Sequence, residues 1–295
     1  MNEIDVIFIN YLSLSYDLKD VLLDTDLPIV IHTHGYDITW DLLSRETGKM
    51  VYNESYLHFA KNISRKALFI ANSNYSKNKI MKIGISADRI VVKKFGVSIE
   101  GQRKIDNKTA AIKILYIGRL IECKAPDLVI RAFELACDRG LDGELIIAGG
   151  GNLGTLCESL RERSTYKEKI KLLGFVSAEE GARLRSECDI FTAHNCKSAT
   201  TNQVEAFGVS IIEAMAAGLP VVTGRSGGVV DSIIDGETGF LVTPGDIEEH
   251  ASKFLELATN PALRMSMGDN AIKRVKNCFS LEGEKMSILE ILRKL

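Results

Sequence analysis

Two cations follow a strand-like run in GRLIECKAPD (118–127), and two carboxylates bracket the start of the apolar, alanine-rich run EAFGVSIIEAMAAGLPVV (205–222). Gly118 permits a tight turn at a strand end, leaving Arg119 and Lys124 in a loop of the kind that binds ligands in open α/β sheets. A planar guanidinium fork and a compact ammonium together suit a diphosphate. Gly208 precedes a helical pattern, so the free N–H groups around Phe207, Gly208 and Val209 favour an anion. Glu205 stands before that helix and Glu213 roughly one turn inside it, where each could accept hydrogen bonds from sugar or ribose hydroxyls. Taken singly, the acids read as a helix cap and a salt-bridged residue, and the cations as surface residues. In HTHGYD (32–37), His34 sits at a strand end followed by Gly35, with Asp37 close behind. A lone histidine is usually a core residue, but this position suits reaching into a cleft.

The elements that must position these groups alternate between short apolar runs and helical patterns, which argues for parallel sheets with crossover helices. DVIFIN (5–10), PIVIHT (28–33) and ALFIAN (67–72) read as buried strands, YSKNKIMKIG (75–84) as a helix ended by Gly84, and DRIVVKKFGV (88–97) as an exit strand. The polar stretch at 99–110 reads as a linker. Beyond it, AIKILYIG is a strand, and the next helix opens on Pro126 at its first position. Ser177 and Glu180 form a capping-box pattern at the start of another helix. Residues 111–280 then make a complete Rossmann-like domain of about six strands, and 281–295 a C-terminal helix. The first domain, 1–98, has only three or four strands and falls short of a full α/β domain by roughly 70–90 residues. Such a partial sheet predicts an open edge and apolar surface, covered by a second copy, by a partner subunit or not at all.

Composition narrows the function. Apolar residues make up 45% and charged residues 26% of 295, with a net charge of -2, as in an ordinary soluble protein with no call for nucleic acid. The six cysteines form no CxxC pair and read as reduced thiols of a cytoplasmic protein, with no metal-ligand spacing. There is no signal-peptide pattern and no stretch of roughly 18 apolar residues. Between 61 and 94 nine basic residues face one acid, Asp88. The plain reading is a solvated face; the sharper one is a peripheral contact with anionic lipid at the inner face of a membrane, or with a phosphorylated acceptor.

Taken in order, five blocks resemble the retaining glycosyltransferases of the GT-B fold, specifically the family 4 group. They are Gly118–Arg119–Leu120 with Lys124–Ala125, Glu205 with Glu213, AMAAGLPVV, SGGVVD (226–231) and DGETGFLVTPGD (235–246). HTHGYD resembles a strand-end motif of the subgroup that builds exopolysaccharide and lipopolysaccharide sugars. Asp231 stands where the family usually has glutamate. The resemblance implies an α/β fold of two Rossmann-like domains facing across a cleft, the N-terminal one incomplete. It also implies transfer of a sugar, with retention, from a UDP- or GDP-linked donor to a glycan, lipid-linked or small-molecule acceptor, with no cofactor and no metal. By the same resemblance Arg119 and Lys124 hold the diphosphate, Glu205 the donor sugar and Glu213 the ribose. Gly118, Gly150, Phe207, Gly208 and Val209 line the phosphates, and Phe175–Val176 meet the base. His34 reaches the donor sugar from the first domain, with Asp37 on the acceptor side, helping to position it or an acceptor hydroxyl. The alternative is a nucleotide-sugar-binding protein that is non-catalytic or needs a partner. A dinucleotide-dependent oxidoreductase is disfavoured, because neither domain shows G-x-G-x-x-G after its first strand.

Overall fold

A computed structural model describes residues 5–39, 54–99 and 111–295. All but the first residue of the expected linker lies outside these. The first sheet is built from β1 (Ile7–Asn10), β2 (Ile29–His32), β3 (Ala67–Ala71) and β4 (Ile90–Val92), parallel and in that spatial order. Its crossovers are α1 (Leu12–Asp17) with α2 (Lys19–Asp24), α3 (Tyr36–Thr39) with α4 (Glu54–Ile63), and α5 (Asn74–Ile83). All four residues of β2 are buried, as expected for an inner parallel strand covered on both faces. Gly84, in the left-handed conformation, closes α5. The exit strand is shorter than its pattern. It leaves the sheet at Lys93, whose side chain turns inward, so Lys93 does not belong to a solvated basic face.

The second sheet contains β5 (Ile112–Ile117), β6 (Gly143–Ala148), β7 (Ile170–Gly174), β8 (Ile190–Thr192), β9 (Val221–Gly224) and β10 (Gly239–Val242). Its parallel order is β10-β9-β8-β5-β6-β7. The chain winds outward from β5 to β7 and then returns to β8 on the other side. Its topological switch point therefore lies between β5 and β8, where the loops diverge and a ligand crevice opens. The helices are α6 (Pro126–Asp138), α7 (Gly154–Arg163), α8 (Ala178–Glu187), α9 (Val209–Ala216), α10 (Ile247–Thr259) and α11 (Pro261–Cys278). Ser177 Oγ accepts the Glu180 N–H at 3.1 Å, forming the cap of α8.

The last helix, α12 (Leu281–Leu292), returns to the first sheet, where Ile291 packs with Val30 and Ile70. It thus shares a core with residues 1–98, although it follows the second domain in sequence. Two strands of chain cross between the domains side by side, joined by Val97 N–H donating to Phe279 O at 2.9 Å. At the opposite edge, β1 has no outer neighbour among the described residues, and Leu14, Leu18 and Val21 beside it are exposed. No helix of the described residues is long and apolar enough to cross a membrane.

Candidate functional site at the switch point

The loop after β5 rises to a 3-10 turn at Glu122–Lys124, and the loop after β8 carries Glu205 toward it. Lys124 Nζ lies 2.7 Å from Glu205 Oε2, and both side chains are mostly withdrawn from solvent. Burial pushes the Glu205 carboxyl up. The Lys124 charge and hydrogen bond, the Phe207 N–H and Arg119 more than offset this and hold it below the ordinary carboxylate value. Two residues 81 positions apart thus form one ion pair at the crevice floor. The Glu205 backbone is fixed from behind by the turn at 227–228, where Gly228 N–H donates to Glu205 O at 2.8 Å. Glu122 stitches the two loops together, accepting from Ser198 Oγ at 2.6 Å and Thr200 Oγ1 at 2.8 Å. Arg119 remains exposed at the rim of a cleft of about 170 Å³ shared with Asn152, Thr201 and Gln203.

Gly149 and Gly150 have a steric purpose. A Cβ on Gly149 would stand 1.9 Å from Gly118 O, and one on Gly150 would stand 2.5 Å from the Phe175 ring. The β6 loop can therefore nest under the β5 loop only without side chains. Phe175 is 87% exposed, with its ring lying against Gly150. Val176 beside it is half-buried and packs into the core beneath β8 and β9.

Gly208 is the left-handed N-cap of α9, with no side-chain cap, and Val209 is exposed at the first helical position. Phe207 is different: its ring is buried between Phe95 and Phe279, and its N–H already serves Glu205. The cradle expected from three N–H groups is thereby reduced to those of Gly208 and Val209. Glu213 pairs with Arg185 of α8 at 3.1 Å, a partner that no local pattern announced. Both line a cavity of about 400 Å³ with Val209, Ala182 and the crossing residues 96–98.

The first domain closes on this site at Gly35. A Cβ there would come within 2.4 Å of Ala206 Cβ, and its φ of 114° also demands glycine. Ser73 Oγ donates to Ala206 O at 2.6 Å, and the Asn74 N–H donates to Asp231 Oδ2 at 2.6 Å. His34 accordingly stands on the turn that abuts the Glu205 loop. Its ring stacks on Tyr11 at 4.4 Å and packs at 5.5 Å from Phe95, which in turn meets Phe207. Its Nε2 is 3.0 Å from Asn10 Oδ1, so Nε2 carries the proton and Nδ1 keeps a lone pair. Burial, followed by the Lys93 charge, lowers its pKa and favours the neutral ring.

Asp37 corrects the acceptor-side reading. It is fully buried, and its carboxylate accepts the N–H groups of Leu12, His34 and Gly35 at 2.8, 3.0 and 2.9 Å. It shapes the His34 turn and faces no acceptor. Among the described residues, the non-glycines with positive φ are Tyr11, Ala125 and Asn202. One stacks on His34, one follows Lys124 and one precedes Glu205 by three positions. Strain of about 1–3 kcal/mol at each such residue is characteristic of functional loops.

The family described as glycosyl transferases group 1 matches residues 98–274. The chain belongs to that family. It is 30% identical over 218 residues to the capsular polysaccharide biosynthesis glycosyltransferase CapM of Staphylococcus aureus, covering 72% of this chain and 54% of that protein. It is 26% identical to the amylovoran biosynthesis glycosyltransferase AmsK of Erwinia amylovora, covering 89% of this chain and 63% of that one. The chain thus spans little more than half to under two thirds of these two relatives. In fold it matches Anabaena HepE, solved in complex with UDP, with a TM-score of 0.83 at 24% identity over 99% of this chain and 79% of that one. Sucrose-phosphate synthase from Thermosynechococcus elongatus gives 0.80 at 20% identity, over 98% and 73%. The architecture of this member of the family is therefore the GT-B arrangement of two parallel α/β sheets.

Proposed function

We propose that this chain transfers a sugar from a UDP- or GDP-linked donor, with retention, to a glycan, lipid-linked or small-molecule acceptor. The observation that carries the reading is the Lys124–Glu205 pair at the switch point, flanked by Arg119 and by the uncapped start of α9. Cleavage of a sugar–phosphate bond leaves negative charge on the nucleoside diphosphate and develops positive charge on the sugar. Preorganised cations and helix N–H groups stabilise the first charge. In this reading Lys124 and Arg119 take the diphosphate, with Gly118, Gly150, Gly208 and Val209 giving it close backbone approach. Glu205, released from Lys124 as the phosphates arrive, accepts hydroxyl hydrogen bonds from the donor sugar.

Phe175 and Val176 receive the base and Glu213 the ribose in the 400 Å³ cavity. His34 approaches the sugar from the opposite domain. The UDP complex of HepE and the polysaccharide-biosynthesis names of CapM and AmsK support the nucleotide-sugar donor and a saccharide acceptor. The exposed Lys61, Arg65, Lys82 and Arg89 support contact with anionic lipid at the inner face of a cytoplasmic membrane.

Calorimetric titration with UDP, GDP and ADP, followed by donor hydrolysis with sugars of the tightest binder, tests the reading. Binding with turnover supports a transferase, and binding without turnover favours a partner-dependent nucleotide-sugar binder. Absence of binding to all three nucleotides would remove the donor site.

A further inference from the structure

Beneath His34 lies a second polar cluster that no donor-site argument uses. Lys93 is 2% exposed and ion-paired with Glu284, which comes from α12, beyond the segment matched to the family. The other oxygen of Glu284 accepts the Gly96 N–H at 2.8 Å. One carboxylate therefore neutralises a buried ammonium and pins the backbone three residues later. Between these anchors sits Phe95, with Lys93 Nζ 4.8 Å from its ring centroid and the rings of His32 and His34 at 5.3 and 5.5 Å. His32 and His34 are themselves 4.3 Å apart, and the buried His32 Nε2 has no hydrogen-bond partner. A buried charge held this way is stable only while its partner remains, and removing one member leaves the other uncompensated.

We propose that Glu284 is a positioning residue for His34: by holding Lys93 and Gly96 it fixes the Phe95 wall on which the His34 ring rests and sets the charge beside that ring. This deepens the reading of His34 as a group that faces the donor sugar and rests on it. Among the described residues, the titratable and charged groups around His34 are His32 from β2, Tyr11 after β1, Asp37 of α3, whose carboxylate takes the His34 N–H, Lys93 after β4 and Glu284 from α12. Of these, Lys93 lowers and Glu284 raises the His34 pKa. The two helix–hinge partners therefore act in opposite directions, which a general loosening of the fold would not reproduce.

The test is a histidine-ring NMR titration of the full chain, with His34→Gln used to assign the His34 signal. Glu284→Gln is expected to shift the His34 midpoint down, Lys93→Met to shift it up, and the double variant to return it toward the original. Glu284→Asp is expected to recover part of the loss seen in Glu284→Gln. An unmoved midpoint in folded Glu284→Gln and Lys93→Met, or movement in the same direction in both, overturns the proposal. Should Glu284→Gln fail to fold, the double variant, which leaves neither charge uncompensated, is compared with Lys93→Met, and an equal His34 midpoint in the two overturns the proposal. Donor turnover of His34→Ala is measured separately. Wild-type turnover in that variant defeats the assignment of His34 to the site, while the titration still judges Glu284.

Discussion

Acidification from about pH 7.5 to about pH 5 should cost the second domain about 2 kcal/mol through buried His194, with buried His250 adding a loss of the same sign. His194 Nε2 accepts the Gly245 N–H at 2.7 Å, so its proton must be on Nδ1, 2.7 Å from His250 Nδ1. His250 is then protonated on Nε2 and donates to Thr192 Oγ1 at 2.8 Å, and Thr192 donates to Val222 O at 3.1 Å. Every proton in the relay has one place, and neither fully buried ring has room for another. Burial lowers His194 from 6.5 to about 4, and burial with the His194 neighbour lowers His250 well below 6.5.

Both folded pKa values lie below the unfolded ones, so the unfolded chain binds more protons as pH falls. Stability is complete above pH 6.5 and declines as pH falls toward 4. For His194 the loss at about pH 5 is about 2 kcal/mol, and His250 shifts stability in the same direction. Denaturant unfolding followed by circular dichroism at the two pH values reads the difference. His250→Phe should be less stable at neutral pH by about 1–3 kcal/mol, from the donor stranded on His194, yet lose less than the parent on acidification. A loss under about 1 kcal/mol, or an unaltered slope in the variant, would refute the relay. Asp37 acts in the opposite direction, because burial raises its pKa. His32 and His34, lowered by burial, add a loss of the same sign as the relay in the first domain, so the difference between His250→Phe and the parent is what isolates the relay.

Lys124→Met should lower donor turnover by about 100- to 1000-fold, the usual cost of one charge-stabilising donor, and leave Glu205 buried without its cation. Wild-type turnover in that variant would remove Lys124 from the site. Phe175→Ala should weaken UDP binding by about tenfold in calorimetry, as one lost base-stacking platform does. Because the ring is 87% exposed, the melting temperature should hardly move. Gly149→Ala should lower the melting temperature and nucleotide affinity together, at a cost above about 2 kcal/mol, because its Cβ would stand 1.9 Å from Gly118 O. Ala125→Gly should preserve or raise stability in urea unfolding, since it relieves the φ of 43° beside Lys124.

Local pattern carried far in this protein where a signal and its consequence share one element. The apolar runs of β5, β6 and β9, the Pro126 start of α6 and the Ser177 cap of α8 are each decided within a few residues, so the chain announces them. The order of its motif blocks likewise disclosed the family before any coordinate did. The pairings that complete the site are of another kind. Lys124 meets Glu205 across 81 residues and Lys93 meets Glu284 across 191, because strand order and the return of α12 bring them together.

Short-range reading left Asp37 between a positioning role and an acceptor contact, since a carboxylate near a histidine looks the same in sequence whether it faces a ligand or three backbone N–H groups. Helices α1 and α2 went unread: their exposed leucines and valine lack the one-sided burial that periodicity detects. Sequence alone determined which residues could bind a diphosphate and hydroxyls, because side-chain chemistry is intrinsic. Only the tertiary structure decided which of those groups are already satisfied inside the fold and which face the crevice, because burial and hydrogen bonding depend on neighbours that the chain brings in from afar.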